Sequence, residues 1–521
     1  MTEPIFALAY GALAVAALSS CLKYMHMFQL NSYKWKEHAP WMRRNVRPLL
    51  LLAGLSLLTA LFCFLPAVPA ALASTATALV YAFTARPKAK KKSKKPLVYT
   101  ARVKRMFLTE ALLWLLCTLL TAWLLPSALA PVGIALCLLL LPYFCLMANV
   151  INAPIEKAIR HYYTEDARRR LNAHPSLKVV AVTGSYGKTG TKHYLNTLLS
   201  EKYEVLMTPG NYNTPMGVVL TVRSSLRATH EIFICEMGAK YVGDIRELCE
   251  LAKPTMGLLT SIGAQHLETF GCIENIVNTK LELADYLREH DGLLLLNGDN
   301  ALLYDNRDRC PRHCISGSRS DADVRVSDIR ASASGTSFAL TFPNRECVRL
   351  SVKLLGAHNV SNVALAAAAA FSLGMTPEEI RRAATRLESA PHRLQLLRHG
   401  PDLIIDDAYN ANPAGTRAAL DTLALFDACR ILVTPGMVEL SDSSDAFNTA
   451  FGQNAAEVCD YILLVGPKQT KPIYDGARAA GFPEERLHVL DTVEQALALA
   501  FTLPATKQRV VLMENDLPDN Y

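Results

Sequence analysis

The chain has 521 residues, of which 51% are apolar and 19% charged, with a mean hydropathy of +0.16. That length exceeds one ordinary domain, and the composition excludes disorder, collagen and a coiled-coil rod as the dominant state. The formal charge of +7 is uneven: residues 1–150 hold 16 Lys and Arg against 3 Asp and Glu, and the rest of the chain holds 38 against 44. The basic balance belongs to the first part alone. No basic helix with interleaved aromatics follows it, which sets nucleic-acid binding aside.

Apolar runs over about 4–27, 48–65, 67–84, 106–125 and 128–150 approach the roughly 20 helical residues needed to cross a bilayer, and predict an α-helical membrane domain of about five spans in residues 1–150. Two connections are basic: 28–47 carries Lys34, Lys36, Arg43, Arg44 and Arg47, and 85–105 carries ten Lys and Arg with no acid. The positive-inside bias places both in the cytoplasm, with the N-terminus outside and everything after 150 inside, as in a multi-pass protein of the cytoplasmic (inner) membrane. The lysines at 90–92 and 94–95 read as a topology signal on a solvated loop, with anionic lipid head groups, a diphosphate-linked lipid or nucleic acid as alternative partners. Residues 151–174 read as a helical connector.

Five of the thirteen cysteines, Cys21, Cys63, Cys117, Cys137 and Cys145, lie in apolar runs, and none shows a framework spacing, as expected of reduced intracellular thiols. Cys310 and Cys314 form one close pair, with no second pair at zinc-ribbon spacing.

From Leu177 the pattern turns to short β-rich runs separated by helical segments, as in a mostly parallel sheet. Val179–Val182 reads as a buried strand running into Thr183-Gly184-Ser185-Tyr186-Gly187-Lys188-Thr189-Gly190 and a helix. Backbone N–H groups of such a loop face phosphates, Lys188 neutralises them, and the Thr189 hydroxyl suits Mg²⁺. Val182, six residues before Lys188, stands where the common phosphate loop has glycine, so this loop is a shorter variant. A second strand, 231–235, delivers Glu236 to the same sheet edge as a further oxygen ligand, and a third, 256–261, leads to His266.

In this order the residues resemble the Mur ligase family, ATP-dependent enzymes that add amino acids to peptidoglycan precursors. The likeness is carried by the short loop, Glu236, His266 and Lys280-Leu281-Glu282-Leu283. It continues through Gly356-Ala357-His358-Asn359-Val360-Ser361-Asn362, Pro391-His392-Arg393-Leu394 and Asp406-Asp407-Ala408-Tyr409-Asn410-Ala411-Asn412-Pro413. The last run is most similar to the branch that adds D-alanyl-D-alanine to a muramoyl tripeptide.

The resemblance implies a phosphate-loop central domain over 175–388 and a smaller Rossmann-like α/β domain over 389–521. It implies ATP and two Mg²⁺ as cofactors, with Thr189, Glu236, His266 and a carbamylated Lys280 as metal ligands, and Lys188, Lys280, His266 and Arg393 as catalytic residues. His358, Asn359 and Asn362 match positions near adenine; Asp407, Tyr409 and Asn410 match a loop on ribose and ring. Arg393 matches a clamp on the terminal phosphate. Asn211, Asn213, Asn412 and Glu439 match the acceptor side, although asparagine in Gly-Asn-Tyr-Asn-Thr-Pro is also a plain turn residue. The implied partners are a cell-wall precursor and an amino acid or dipeptide.

Three departures stand out. Only 28 residues separate the last apolar run from Val179, too few for the domain with which soluble members grip UDP. The family's Gly-Asp-Met-x-Glu-Leu is Pro435-Gly436-Met437-Val438-Glu439-Leu440 here, and the chain's last strand ends in Glu514-Asn515-Asp516 instead of a Lys-Gly-Ser-type loop. A ligase joining a different amine to a lipid-linked or other anchored carboxylate is therefore one alternative, and a non-catalytic nucleotide-binding membrane scaffold another.

Overall fold

The computed structural model describes residues 21–45, 96–125, 140–263, 265, 267–409, 411–438 and 444–515, with isolated positions between 15 and 137. The chain divides into two compact units that meet in sequence at Tyr162 and Tyr163.

The first unit contains helical residues 21–30, the helices Trp35–Arg44 and α1 (Ala101–Leu124), and the first part of α2 (Leu141–Asn172), whose residues from Tyr163 onward belong to the second unit. The Thr100 hydroxyl caps α1 by accepting from Val103 N–H. No break separates the final apolar run from the expected connector, since α2 is continuous through Pro154.

The structure differs from a multi-pass membrane domain. Among the described residues one helix, Ala101–Leu124, is long and apolar enough to cross a membrane. A single such helix is weak support for a membrane domain, although its apolar window is only 6% buried. The run at 48–65, most of 4–27 and 67–84, and the start of 128–150 fall outside the described residues. The five-span count, the external N-terminus and the inner-membrane localisation built on it do not hold.

The second unit holds two sheets. The first is formed by β1 (Lys178–Thr183), β2 (Val205–Met207), β3 (Ile232–Glu236), β4 (Met256–Leu259), β5 (Leu293–Asn297), β6 (His313–Gly317), β7 (Val324–Ser332), β8 (Gly335–Thr341) and β9 (Cys347–Val352), in the order β2-β3-β1-β4-β5-β6-β7-β8-β9. The strands from β2 across to β7 pair parallel, as expected, but β7-β8-β9 extend the sheet antiparallel and make it mixed. β1 lies inside the parallel part and is buried from Val179 onward, which is why its sequence is continuously apolar.

Helices α3 (Lys188–Leu199), α4 (Ile273–Glu289) and α5 (His358–Ser372) cover this sheet. Val180 and Val182 pack toward α3 and the alanine run 366–370 of α5, whose small side chains allow close approach; Ala181 faces the opposite layer with Leu283 and Leu287 of α4.

The second sheet, β10 (Gln395–His399), β11 (Asp402–Asp407), β12 (Cys429–Thr434), β13 (Tyr461–Val465), β14 (Leu487–Leu490) and β15 (Arg509–Glu514), runs β10-β11-β15-β12-β13-β14. β10 is antiparallel to β11 and the other pairs are parallel. Alternation places Ile405, Leu432, Leu464 and Leu512 on one face and Ile431, Val433, Leu463 and Val511 on the other. Helix α6 (Pro413–Leu423) follows β11.

Candidate active site

The C-terminal ends of β1, β3 and β4 converge on one loop. Gly184 has φ +149°, and a Cβ there would meet Thr260 Oγ1 at 2.1 Å; Gly187 has φ +81° and its Cβ would meet Asn362 Oδ1 at 2.6 Å. Only glycine fits both places. The loop is tied to the end of β4 by Ser185 N–H donating to Ser261 O (2.7 Å), Tyr186 N–H to Ser261 Oγ (3.0 Å) and Thr260 Oγ1–H to Tyr186 O (2.5 Å). The Lys188 ammonium donates to the carbonyls of Gly184 (2.6 Å) and Ser185 (2.9 Å), arching over the loop. Burial, with nearby Arg393 adding repulsion and Glu236 opposing, brings its pKa down to about 8.

Glu236 is the hub of the site. Its Oε1 accepts from Thr189 Oγ1–H (3.3 Å) and Asn213 Nδ2–H (3.1 Å), and its Oε2 lies 2.9 Å from Lys192 Nζ. Lys192 also donates to Gly210 O at 2.6 Å, so this lysine fastens the loop containing Asn211 and Asn213 to the metal-type carboxylate. Sequence reasoning missed Lys192. The available signal was its spacing, four residues after Lys188 and therefore on the same helix face.

Lys280, on α4, is 2% exposed and has no hydrogen-bond partner among the described residues. Burial first, then repulsion from Lys188, lowers its pKa to about 7, against opposing pulls from Asp244 and Glu282.

On the other side, Arg393 stacks over the Tyr409 ring at 4.2 Å. Leu394 N–H donates to Asp407 Oδ1 (3.2 Å), and His392 Nδ1 pairs with Asp406 Oδ2 (2.8 Å). His392 and Leu394 both have positive φ, +59° and +48°, so the turn carrying Arg393 is held in a sparsely populated conformation by these contacts.

The remaining residues are distributed as follows. Asn362 lies against Gly187 of the loop. Asn359 is buried, with Oδ1 accepting from Tyr194 O–H (3.0 Å) and Nδ2–H donating to Leu355 O (2.8 Å), so both ends of its amide are engaged within the protein. His358 begins α5 beside Gly356, whose Cβ position also faces Thr422 of α6. Asn412 caps α6 by accepting from Gly415 N–H at 2.9 Å. Asn211 sits in an exposed turn. His266, Asn410 and Glu439 lie outside the described residues.

A strand-borne phosphate loop facing an acidic hub, with a second α/β sheet presenting an arginine, defines a nucleotide-dependent transferase or ligase site. Residues 182–370 match the Mur ligase middle domain and residues 392–514 the Mur ligase, glutamate ligase domain. The UDP-N-acetylmuramoyl-tripeptide--D-alanyl-D-alanine ligase of Bacillus subtilis is 34% identical over 278 residues, 53% of this chain and 59% of that protein. The Escherichia coli protein of the same name is 32% identical over 347 residues, 64% of this chain and 72% of that protein. MurF of Thermotoga maritima, solved in complex with ADP, superposes with a TM-score of 0.60 at 27% identity, over 68% of this chain and 80% of that one. The chain belongs to the Mur ligase family of ATP-dependent amide-forming ligases. It spans 59% of the length of the first of these relatives.

Proposed function

We propose that this protein joins D-alanyl-D-alanine to a UDP-linked muramoyl tripeptide, using ATP, in the synthesis of a cell-wall precursor. The reading is carried by Lys188, Thr189 and Glu236 meeting at one sheet edge with the buried Lys280 nearby. Residues 175–388 and 389–521 act as the ATP-binding and C-terminal ligase domains, and residues 1–150 stand where relatives' UDP-gripping domain is expected.

The tripeptide carboxylate attacks the γ-phosphate of ATP, forming an acyl phosphate and releasing ADP. The dipeptide amine then attacks the acyl carbon; the amide forms, inorganic phosphate leaves and the amine's proton is lost. Lys188 and the loop N–H groups hold the phosphates, and Arg393 closes on the transferring group from the C-terminal sheet. Asn362, with His358, forms the adenine side, and Asn359 backs it by holding Tyr194; Asp407, Tyr409 and Asn410 form the ribose side. Asn211, Asn213 and Glu439 serve the acceptor, while Asn412 caps α6.

The donor set fits a hard cation, because the Thr189 hydroxyl and the Glu236 carboxylate oxygen lie 3.3 Å apart. Thr189, Glu236, His266 and carbamylated Lys280 would hold two Mg²⁺, which when bound supply neutralisation of phosphate charge. The carbamate requires a neutral amine to add CO₂, and a buried Lys280 provides it.

The test is a mass-spectrometric product assay with ATP, Mg²⁺ and D-alanyl-D-alanine, offering UDP-linked and polyprenyl-linked muramoyl tripeptide in parallel. Extension of the UDP form supports the proposal. Extension of the lipid form alone, or of neither, overturns it.

A further inference from the structure

We propose that Glu514 is a positioning residue for Arg393: it shares one proton with Asp407, and the single negative charge of that pair holds the guanidinium opposite the phosphate loop. The inference rests on the role given to Arg393 above.

Asp407 and Glu514 are register partners at the ends of the adjacent parallel strands β11 and β15, so their side chains leave the sheet on the same face. Glu514 Oε2 is buried with no hydrogen-bond donor among the described residues, and a proton held between it and the carboxyl of its register partner Asp407 satisfies it. Glu514 is 1% exposed. Two carboxyl groups carried side by side on paired strands in so enclosed a place cannot both ionise, as in other carboxyl dyads. Burial and the neighbouring acid raise Glu514 well above the ordinary carboxyl range, and burial raises Asp407 as well.

The charged groups facing the pair are Arg393, from the 390–394 turn, and Asp406, on β11 itself. Asp406 is already committed to His392 and to Ala408 N–H. Asp407 in turn accepts from Leu394 N–H, the residue after Arg393. The two acids of β11 thus grip the turn on either side of the arginine. The end of β15 is fixed by Asn515, whose Oδ1 accepts from Ala411 N–H (3.4 Å) and whose Nδ2–H donates to Gly436 O (2.6 Å).

One proton in the pair leaves one negative charge to balance one guanidinium. Two charges would draw Arg393 back from the phosphate, and none would leave it loose. Glu514, enclosed behind Asp407, acts through that residue and touches no reacting atom.

The experiment uses the full-length protein with Glu514→Gln and Glu514→Met. Gln keeps a neutral hydrogen-bond donor toward Asp407, so kcat stays within about threefold of the parent, whereas Met lowers kcat by about tenfold or more with little change in the KM for ATP. Infrared difference spectra of the parent show a protonated-carboxyl C=O band at neutral pH that is absent from Glu514→Gln. Equal loss in Gln and Met, full activity in Met, or no such band would overturn the proposal. ADP binding and thermal midpoints establish that each variant folds. If the parent itself has no ligase turnover, the functional reading fails, while the infrared result still decides the shared proton.

Discussion

Lys192 Nζ and Glu236 Oε2 form an ion pair of 2.9 Å with both side chains essentially sealed from solvent, 0% and 1% exposed. The pair joins α3 to the end of β3 beneath the phosphate loop. Removing one member strands a buried charge, so Lys192→Met is expected to destabilise the ligase unit by about 3–5 kcal/mol. The double change Lys192→Met with Glu236→Leu recovers much of that loss while remaining inactive. Denaturant unfolding followed by tryptophan-independent far-UV circular dichroism measures both; a single variant as stable as the parent would show that the pair carries no net energy.

Lys188 presents the opposite balance of stability and activity. Its folded pKa of about 8 lies below the ordinary lysine value, so the folded state binds fewer protons than the unfolded one between those two pH values. Stability therefore rises with pH through that window, and at neutral pH the charged, enclosed ammonium is a cost. Lys188→Met is expected to unfold no earlier than the parent at neutral pH, to lose the alkaline rise in stability, and to lower ATP turnover by about a thousandfold or more. Unfolding midpoints at two pH values, together with steady-state kinetics, check the three outcomes.

How far the site was legible depended on whether its chemistry is contiguous in sequence. The phosphate loop could be read because strand, glycines, Lys188 and Thr189 follow one another, and Glu236 because a strand-end acid is locally recognisable. The Asp407–Glu514 pair could not, since it depends on β15 inserting between β11 and β12, a fact of sheet order. Likewise β7–β9 carry mixed polar and apolar residues, such as Arg325, Asp328 and Arg330 in β7, and their antiparallel extension has no strong local pattern. Asn412 was read toward substrate although its side chain caps α6, because a cap and a ligand contact demand the same amide. The apolar runs of residues 1–150 overstated the case for the opposite reason: composition alone does not distinguish a core helix from a span.

Lys280 links pH to carbon dioxide. With its pKa drawn down to about 7, the neutral amine that adds CO₂ is abundant above that value and scarce below it. Turnover is expected to fall as pH drops through this range, to fall further in degassed buffer, and to recover on adding bicarbonate. A carbon-13 carbamate resonance from labelled bicarbonate should appear in the parent and vanish in Lys280→Arg, whose guanidinium stays protonated. A resonance that persists in that variant would place the carbamate elsewhere.

Gly187 tests whether the loop geometry itself binds phosphate. Its φ of +81° disfavours any side chain, and an added Cβ would lie 2.6 Å from Asn362 Oδ1. Gly187→Ala therefore faces both a backbone penalty of about 1–2 kcal/mol and displacement of the Asn362 amide. Combining it with Asn362→Ala relieves the clash but leaves the backbone penalty and removes the amide. ADP affinity measured by calorimetry is expected to fall about tenfold or more in Gly187→Ala, with only partial recovery in the double variant. Full recovery would mean that the clash alone disturbs the loop and that the left-handed conformation is not required for the N–H groups to face the phosphate.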